Sequence, residues 1–151
     1  MAIAAAEHIT NLLNGTISVI KTVIPMEFDM GMPQSEVDLE TKDDEQIGVI
    51  IGLEKEINGS LLFLASRRFF GECGNKMYGM PFEGDMLESF VGELGNILAG
   101  NIATQLSNGD ISIDITTPRI VSEVSITDAE KLLSVSLKFG SEELMIVFAI
   151  Y

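Results

Sequence analysis

A short polar stripe on one predicted helix carries the side chains of this sequence that are best suited to chemistry. At about 100° per residue, Glu93 and Asn96 fall on the same side as Ser89, because offsets of four and seven residues are helical repeats. Asp85 and Gly100 lie within about 40° of the same line. The opposite side is apolar and consists of Leu87, Val91, Leu94 and Leu98. Burial of that side would hold Glu93 and Asn96 outward, toward a partner.

Spacing alone also fits the ordinary solvated face of an amphipathic helix. Three glycines inside the predicted helix argue for a function beyond a solvated face, because each glycine costs on the order of 1 kcal/mol of helix stability relative to alanine. Close packing would explain Gly95, whereas Gly92 and Gly100 lie nearer the stripe and would let another protein's backbone approach. Asn96 is a poor helix former at an exposed central position, where Lys or Gln would serve the fold better.

The first half of the chain predicts one helix and two or three strands before this motif. Apolar residues recur at helical spacing over residues 3–23. Residues 27–38 mix apolar and polar side chains around a proline, which suits an edge strand or an irregular crossing. Residues 48–53 and 60–65 are β-prone runs separated by a turn-forming Asn-Gly pair, so they predict an antiparallel hairpin.

The second half predicts two helices and three strands. Residues 67–77 form a short helix and residues 85–106 a long one, which ends at an Asn-Gly pair. Isoleucines alternate with polar residues over 111–115, and the same alternation recurs over 133–139. Residues 144–151 are almost wholly apolar and predict a strand buried on both faces or paired at a sheet edge. The fold class is therefore α/β of the α+β type, with helices packed on a mixed, largely antiparallel sheet.

Composition limits the possible classes of protein. A length of 151 residues fits a single domain spanning residues 1–151. Nine Lys and Arg against 23 Asp and Glu give a net charge of −14, which repels nucleic acid and anionic membrane surfaces. No apolar run approaches the roughly 20 residues of a membrane helix, and no secretion signal is recognisable. We expect a cytoplasmic protein without nucleic-acid or membrane partners.

The common catalytic motifs are missing from the sequence. There is no Walker-type phosphate loop, no dinucleotide fingerprint and no G-x-S-x-G elbow. With one cysteine, Cys73, and one histidine, His8, an internal disulfide and a multi-histidine metal site are excluded. A Cys–His nucleophile pair would depend on two residues without any local motif, and packing is the expected role of Cys73.

The motif helix resembles one known family. Ser89-x-x-x-Glu93-x-x-Asn96 is similar to the signature of the CheC/CheX/FliY phosphatases, Asp or Ser followed by E-x-x-N, here within GELGNILAGN. A hairpin before the helix and IDITTPRIV after it follow the CheX order of segments over residues 47–121. A single copy of the motif is present, whereas CheC-like members carry two. The sequence therefore resembles the single-motif, CheX-like chemotaxis phosphatases.

The resemblance implies a CheC/CheX-like fold and hydrolysis of the aspartyl phosphate on a CheY-like response regulator. Asn96 and Glu93 would be the catalytic residues, and Ser89 and Glu93 would bind the partner. The receiver domain would supply Mg²⁺, so no cofactor of the chain's own is expected. The resemblance also implies a homodimer. Two alternatives remain open: a receiver-binding module without catalysis, and a structural or assembly protein of the motility apparatus.

Overall fold

Three helices lie on one face of a seven-stranded sheet in the computed structural model, which describes residues 2–35, 45–122, 126 and 129–151, with side chains from residue 6 onward. The elements in chain order are α1 (Ala2–Val23), β1 (Asp29–Met30), β2 (Gln46–Lys55), β3 (Gly59–Ser66), α2 (Arg67–Tyr78), α3 (Gly84–Asn108), β4 (Ile113–Ile115), β5 (Arg119–Val121), β6 (Lys131–Phe139) and β7 (Glu142–Ile150). None of the described helices is long and apolar enough to cross a membrane.

The strands follow the order β1-β6-β7-β3-β2-β4, and β5 pairs with β2 beside β4. The two short strands share one edge of β2: β4 pairs with residues 53–55 and β5 with residues 48–50. Every strand pairing among the described residues is antiparallel. The predicted α+β fold class, with helices on a largely antiparallel sheet, is confirmed, and no parallel pair is seen in the described part of the sheet.

The last strand is largely buried, as its apolar run predicts. β7 lies between β6 and β3, so its backbone is paired on both sides. Ile146 and Phe148 join the core beneath the helices. Val147 points to the other face, where it is fully buried with Leu62 and Leu64 of β3. Since alternate residues of a strand face opposite sides, an apolar run of this length indicates a strand with two covered faces.

Two segments differ from the predicted pattern. The strand predicted over 111–115 begins only at Ile113, because the Ile111 N–H donates to the Leu106 carbonyl and closes the turn after α3 (2.9 Å). β5 is not predicted by the alternation, since three residues after a proline are too few to show a period.

The segment 27–38 contributes only a short edge strand. The two residues of β1 pair with β6, and Gln34 adds an isolated bridge to Ser134. Residues 36–38 of this predicted segment lie outside the described residues. Within the described part, the edge-strand interpretation of the segment is confirmed.

Candidate functional site

The long helix α3 holds the predicted stripe outward, as its periodicity requires. Leu87, Val91, Leu94 and Leu98 are all buried in the core. Asp85, Ser89, Glu93 and Asn96 are all exposed along the other side. Burial of the apolar side fixes the rotation of the helix, because turning the helix would expose the three leucines and the valine of that side to water. The structure therefore brings together all the site residues predicted from the sequence.

Gly95 is where α3 makes its closest approach to the sheet. A Cβ atom at this position would lie 2.7 and 2.8 Å from the two Cγ atoms of Val49 on β2, closer than real side chains approach. The backbone of α3 therefore rests directly on β2, as expected for Gly95 from the sequence. The other two glycines are different: a Cβ at Gly92 would lie 3.8 Å from Ile120, and one at Gly100 would meet nothing within 4 Å. Internal packing explains Gly95 alone.

A groove runs beside the stripe, between α3 and the connection from β4 to β5. Its helix side is formed by Ser89, Gly92, Glu93 and Asn96, and its other side by residues 115–118. Thr116 fixes that second wall on β2, because its backbone N–H donates to the Gly52 carbonyl (2.9 Å) and its hydroxyl accepts from the Gly52 N–H (2.8 Å). Glu93 and Asn96 thus line a groove with a fixed opposite wall.

The threonines of this wall are site residues that the sequence did not predict. Thr116 and Thr117 lie within the IDITTPRIV segment, but the order of segments gives these two residues no role in a site. They reach α3 only because β4 pairs with β2, and that pairing joins residues about 60 positions apart in the chain. The Thr-Thr-Pro turn between two short apolar runs is the only local signal that points to this connection.

The side chains of Glu93 and Asn96 make no hydrogen bond within the described part of the chain, so their polar atoms are available to a partner. Asn101, one and a half turns further on, is a useful contrast. Its amide nitrogen donates to the Ile97 carbonyl at 2.7 Å, which ties it back to its own helix. Both asparagines are exposed, but Asn96 forms no such hydrogen bond with its own helix.

The structure gives no support to a cysteine nucleophile. Cys73 is buried on α2 beside Phe69 and Phe70 in the core. Burial, together with the neighbouring Glu72 carboxylate, raises the pKa of its thiol to about 12. The thiol therefore stays protonated, whereas the thiolate is the nucleophilic form. No group of three His, Cys, Asp or Glu residues suited to a metal ion occurs in the described ranges.

Comparison with known proteins finds similarity to CheC-like and CheX proteins in a family model, in a sequence relative and in solved structures. The CheC-like family model matches residues 86–122, which contain all but the first two residues of α3 together with Thr116 and Thr117. The chain is 29% identical over 142 residues to the CheY-P phosphatase CheX of Thermotoga maritima, covering 90% of each chain.

Solved structures share the whole fold. A chemotactic CheC-like protein from Shewanella oneidensis superposes with a TM-score of 0.81 at 20% identity, covering 100% of both chains. The CheX–CheY–BeF₃–Mg²⁺ complex from Borrelia burgdorferi contains a chain that superposes with a TM-score of 0.76 at 22% identity, covering 94% of this chain and 96% of that one. The chain is thus similar to CheC-like and CheX proteins in the motif segment on α3, in sequence along 90% of its length, and in fold.

Proposed function

We propose that this chain is a phosphatase that hydrolyses the aspartyl phosphate of a CheY-like response regulator. The observation that carries the proposal is the pair Glu93 and Asn96. They lie one turn apart on an exposed helix face, with side chains that bond to nothing else in the described chain. The relative from Thermotoga maritima, 29% identical to this chain, is a CheY-P phosphatase.

Asn96 is suited to positioning the attacking water. Phosphoryl transfer depends mainly on alignment and on charge stabilisation, so a phosphatase that docks on a receiver needs few groups of its own. The amide of Asn96 offers a donor and an acceptor, and it can hold water without adding negative charge beside the phosphoryl group. A carboxylate at the same place would be repelled by the phosphoryl oxygens.

Glu93 is suited to anchoring the receiver. Its carboxylate would form a charge-assisted hydrogen bond with a receiver lysine and so bring Asn96 into register with the phosphorus. Ser89, one turn earlier on the same exposed side, would contact the receiver at the edge of the interface. Mg²⁺ would arrive with the receiver; the Borrelia burgdorferi complex contains CheX, CheY, BeF₃ and Mg²⁺ together.

The proposal is tested by following phosphate loss from phosphorylated CheY of the same organism, with and without this chain. We expect the rate to rise in proportion to the concentration of the chain. Binding without any rise in rate would favour the receiver-binding module. Neither binding nor hydrolysis would favour the structural or assembly protein of the motility apparatus.

Replacement of Glu93 by alanine should weaken binding of the phosphorylated receiver while leaving stability nearly unchanged. The side chain is exposed and bonds to no described residue, so its loss removes little from the fold. Because the expected partner is a lysine near the surface, added salt should weaken binding by the parent chain more than binding by the variant. Calorimetric titration at two salt concentrations measures both effects. Equal affinity of Glu93→Ala and the parent would show that Glu93 is not the anchor.

We further propose that residues 1–151 form a single domain, that the protein is cytoplasmic and that it forms a homodimer. The sheet ends in short strands, and the two residues of β1 cover little of the edge of β6. Open strand edges are sites for pairing with a second chain. We expect solution scattering to give the mass of a dimer, and a monomer at high protein concentration would contradict this.

A further inference from the structure

An apolar patch lies where α2 turns into α3, at the N-terminal end of the polar stripe. It consists of Tyr78, Met80, Phe82, Met86 and Phe90. Three of these side chains are well exposed: Tyr78 at 53%, Met80 at 45% and Met86 at 55%. They are half of the six large apolar side chains that are exposed in the described residues. Scattered apolar side chains are normal on a surface, but a contiguous group bordered by polar residues marks a binding site.

The aromatic part of the patch has a fixed shape. The rings of Phe82 and Phe90 are stacked with centroids 5.0 Å apart, and the ring of Tyr78 stands edge-on to both at 6.1 Å. Phe82 lies across α2 at Gly74, where a Cβ atom would come within 2.3 Å of the ring. Gly79 ends α2 in the left-handed conformation (φ 72°), which a side chain would disfavour. A preformed surface loses little conformational entropy when a partner binds.

The patch is continuous with the site on α3. The patch surrounds a depression of about 680 Å³ that is also lined by Asp85, Ser89 and Glu93. Ser89 and Glu93 line the neighbouring groove that contains Asn96. One partner surface laid along α3 would therefore cover the patch and the groove together. The charged side chains that line the two depressions, Asp85 and Glu93, are both acidic, so the complementary surface is basic.

We propose that this patch binds the receiver domain itself, at a segment of its surface where an apolar side chain stands next to a lysine or arginine. The inference rests on the proposed function and adds a second part to its interface. A second copy of this chain is a poorer occupant, because a two-fold contact would bring Asp85 and Glu93 of both copies together without a basic partner. Methionines at the rim suit such a contact, since their flexible side chains adapt to the partner's shape.

The patch and the motif would then affect different kinetic quantities. Apolar contacts far from the phosphorus are equally strong in the ground state and in the transition state, so their loss raises KM and leaves kcat unchanged. Asn96 acts on the attacking water, so its loss lowers kcat. This difference separates the two parts of the interface in one assay.

The test uses the double variant Met80→Gln/Met86→Gln, in which both side chains keep their length and become polar. Met32→Gln is the matched control, because Met32 is 83% exposed and lies beyond β1, at the sheet edge away from α3. The probe is CheY of the same organism, bound to BeF₃ and Mg²⁺ for affinity and phosphorylated for kinetics. We expect the double variant to bind about tenfold more weakly, with KM raised to match, kcat within twofold and Met32→Gln like the parent.

Affinity and KM equal to those of the parent would overturn this inference and leave the proposed function intact. If the double variant binds CheY normally but light scattering shows a monomer where the parent is a dimer, the inference is overturned in favour of self-association through the patch. If the parent binds the BeF₃ form of CheY but does not hydrolyse the aspartyl phosphate, the phosphatase function is refuted. A tenfold loss of affinity in the double variant would still support binding at the patch. A parent that binds no form of CheY would overturn both.

Discussion

Asn96→Ala is expected to lower the rate of receiver dephosphorylation by about a hundredfold or more while the chain stays folded. The estimate treats the amide as one group that acts in the transition state, worth about 3 kcal/mol by analogy with a deleted oxyanion-hole donor. Receiver binding should be largely preserved, because the anchoring interactions come from other side chains. The loss should therefore appear in kcat and leave the affinity for the BeF₃ form close to that of the parent.

Unfolding cannot account for the expected loss. Asn96 is exposed and makes no hydrogen bond in the described chain, and alanine is the better helix former, so the melting temperature should be equal or slightly higher. Asn101→Ala is the matched control. It removes the same side chain from the same helix, about 140° away from Asn96, and should keep the parent's activity. An Asn96→Ala rate within a few-fold of the parent would mean that another group positions the water.

Asn96→Asp separates the shape of the side chain from its charge. Aspartate keeps the size of asparagine, but it replaces a neutral amide with a carboxylate that would face the phosphoryl oxygens. It should be as inactive as Asn96→Ala. Activity near that of the parent would show that the donor of the amide is not needed for the reaction.

The elements of the fold that can be predicted from the sequence are long segments in which apolar residues recur at a regular spacing. The helices over 67–77 and 85–106, and the strand over 133–139, lie within one or two residues of their predicted bounds. The exposed position of Glu93 and Asn96 follows from the same 3.6-residue period, because that period also decides which side is buried. Long periodic segments are predictable since each added turn repeats the same choice of face.

Features that depend on long-range pairing could not be predicted in this way. β5 is three residues long, and Thr116 reaches the groove only through its hydrogen bonds to Gly52. The apolar patch depends on the fit of Phe82 against Gly74, a contact between two elements whose relative position the local pattern does not specify. The roles of Asn96 and Glu93 stay predictions, because a helix face shows which groups are available but not what they do.

Gly95→Ala is expected to destabilise the protein although alanine is the better helix former. The added Cβ would overlap the Cγ atoms of Val49 at 2.7 and 2.8 Å, so α3 or β2 must shift. Overpacking costs about 1 to 3 kcal/mol, and two overlaps below 3 Å place this case in the upper part of that range, above the helix-propensity gain of about 1 kcal/mol. Denaturant unfolding measures the change. Gly100→Ala adds the same methyl group where nothing lies within 4 Å, and it should leave the protein equally stable or more so.

A double-mutant cycle with Val49→Ala separates the steric cause from a general intolerance of substitution at Gly95. Val49→Ala alone should destabilise by removing buried methyl groups, but it also removes the two Cγ atoms that the new Cβ would overlap and leaves only the residue 49 Cβ, at 3.2 Å. The combined variant should therefore be more stable than the sum of the two single changes by about 1 kcal/mol or more. Strict additivity would refute the contact with Val49 as the reason for the glycine. Because Asn96 follows Gly95 directly, a shifted helix would also misplace its amide, and the dephosphorylation rate should recover in the combined variant together with stability.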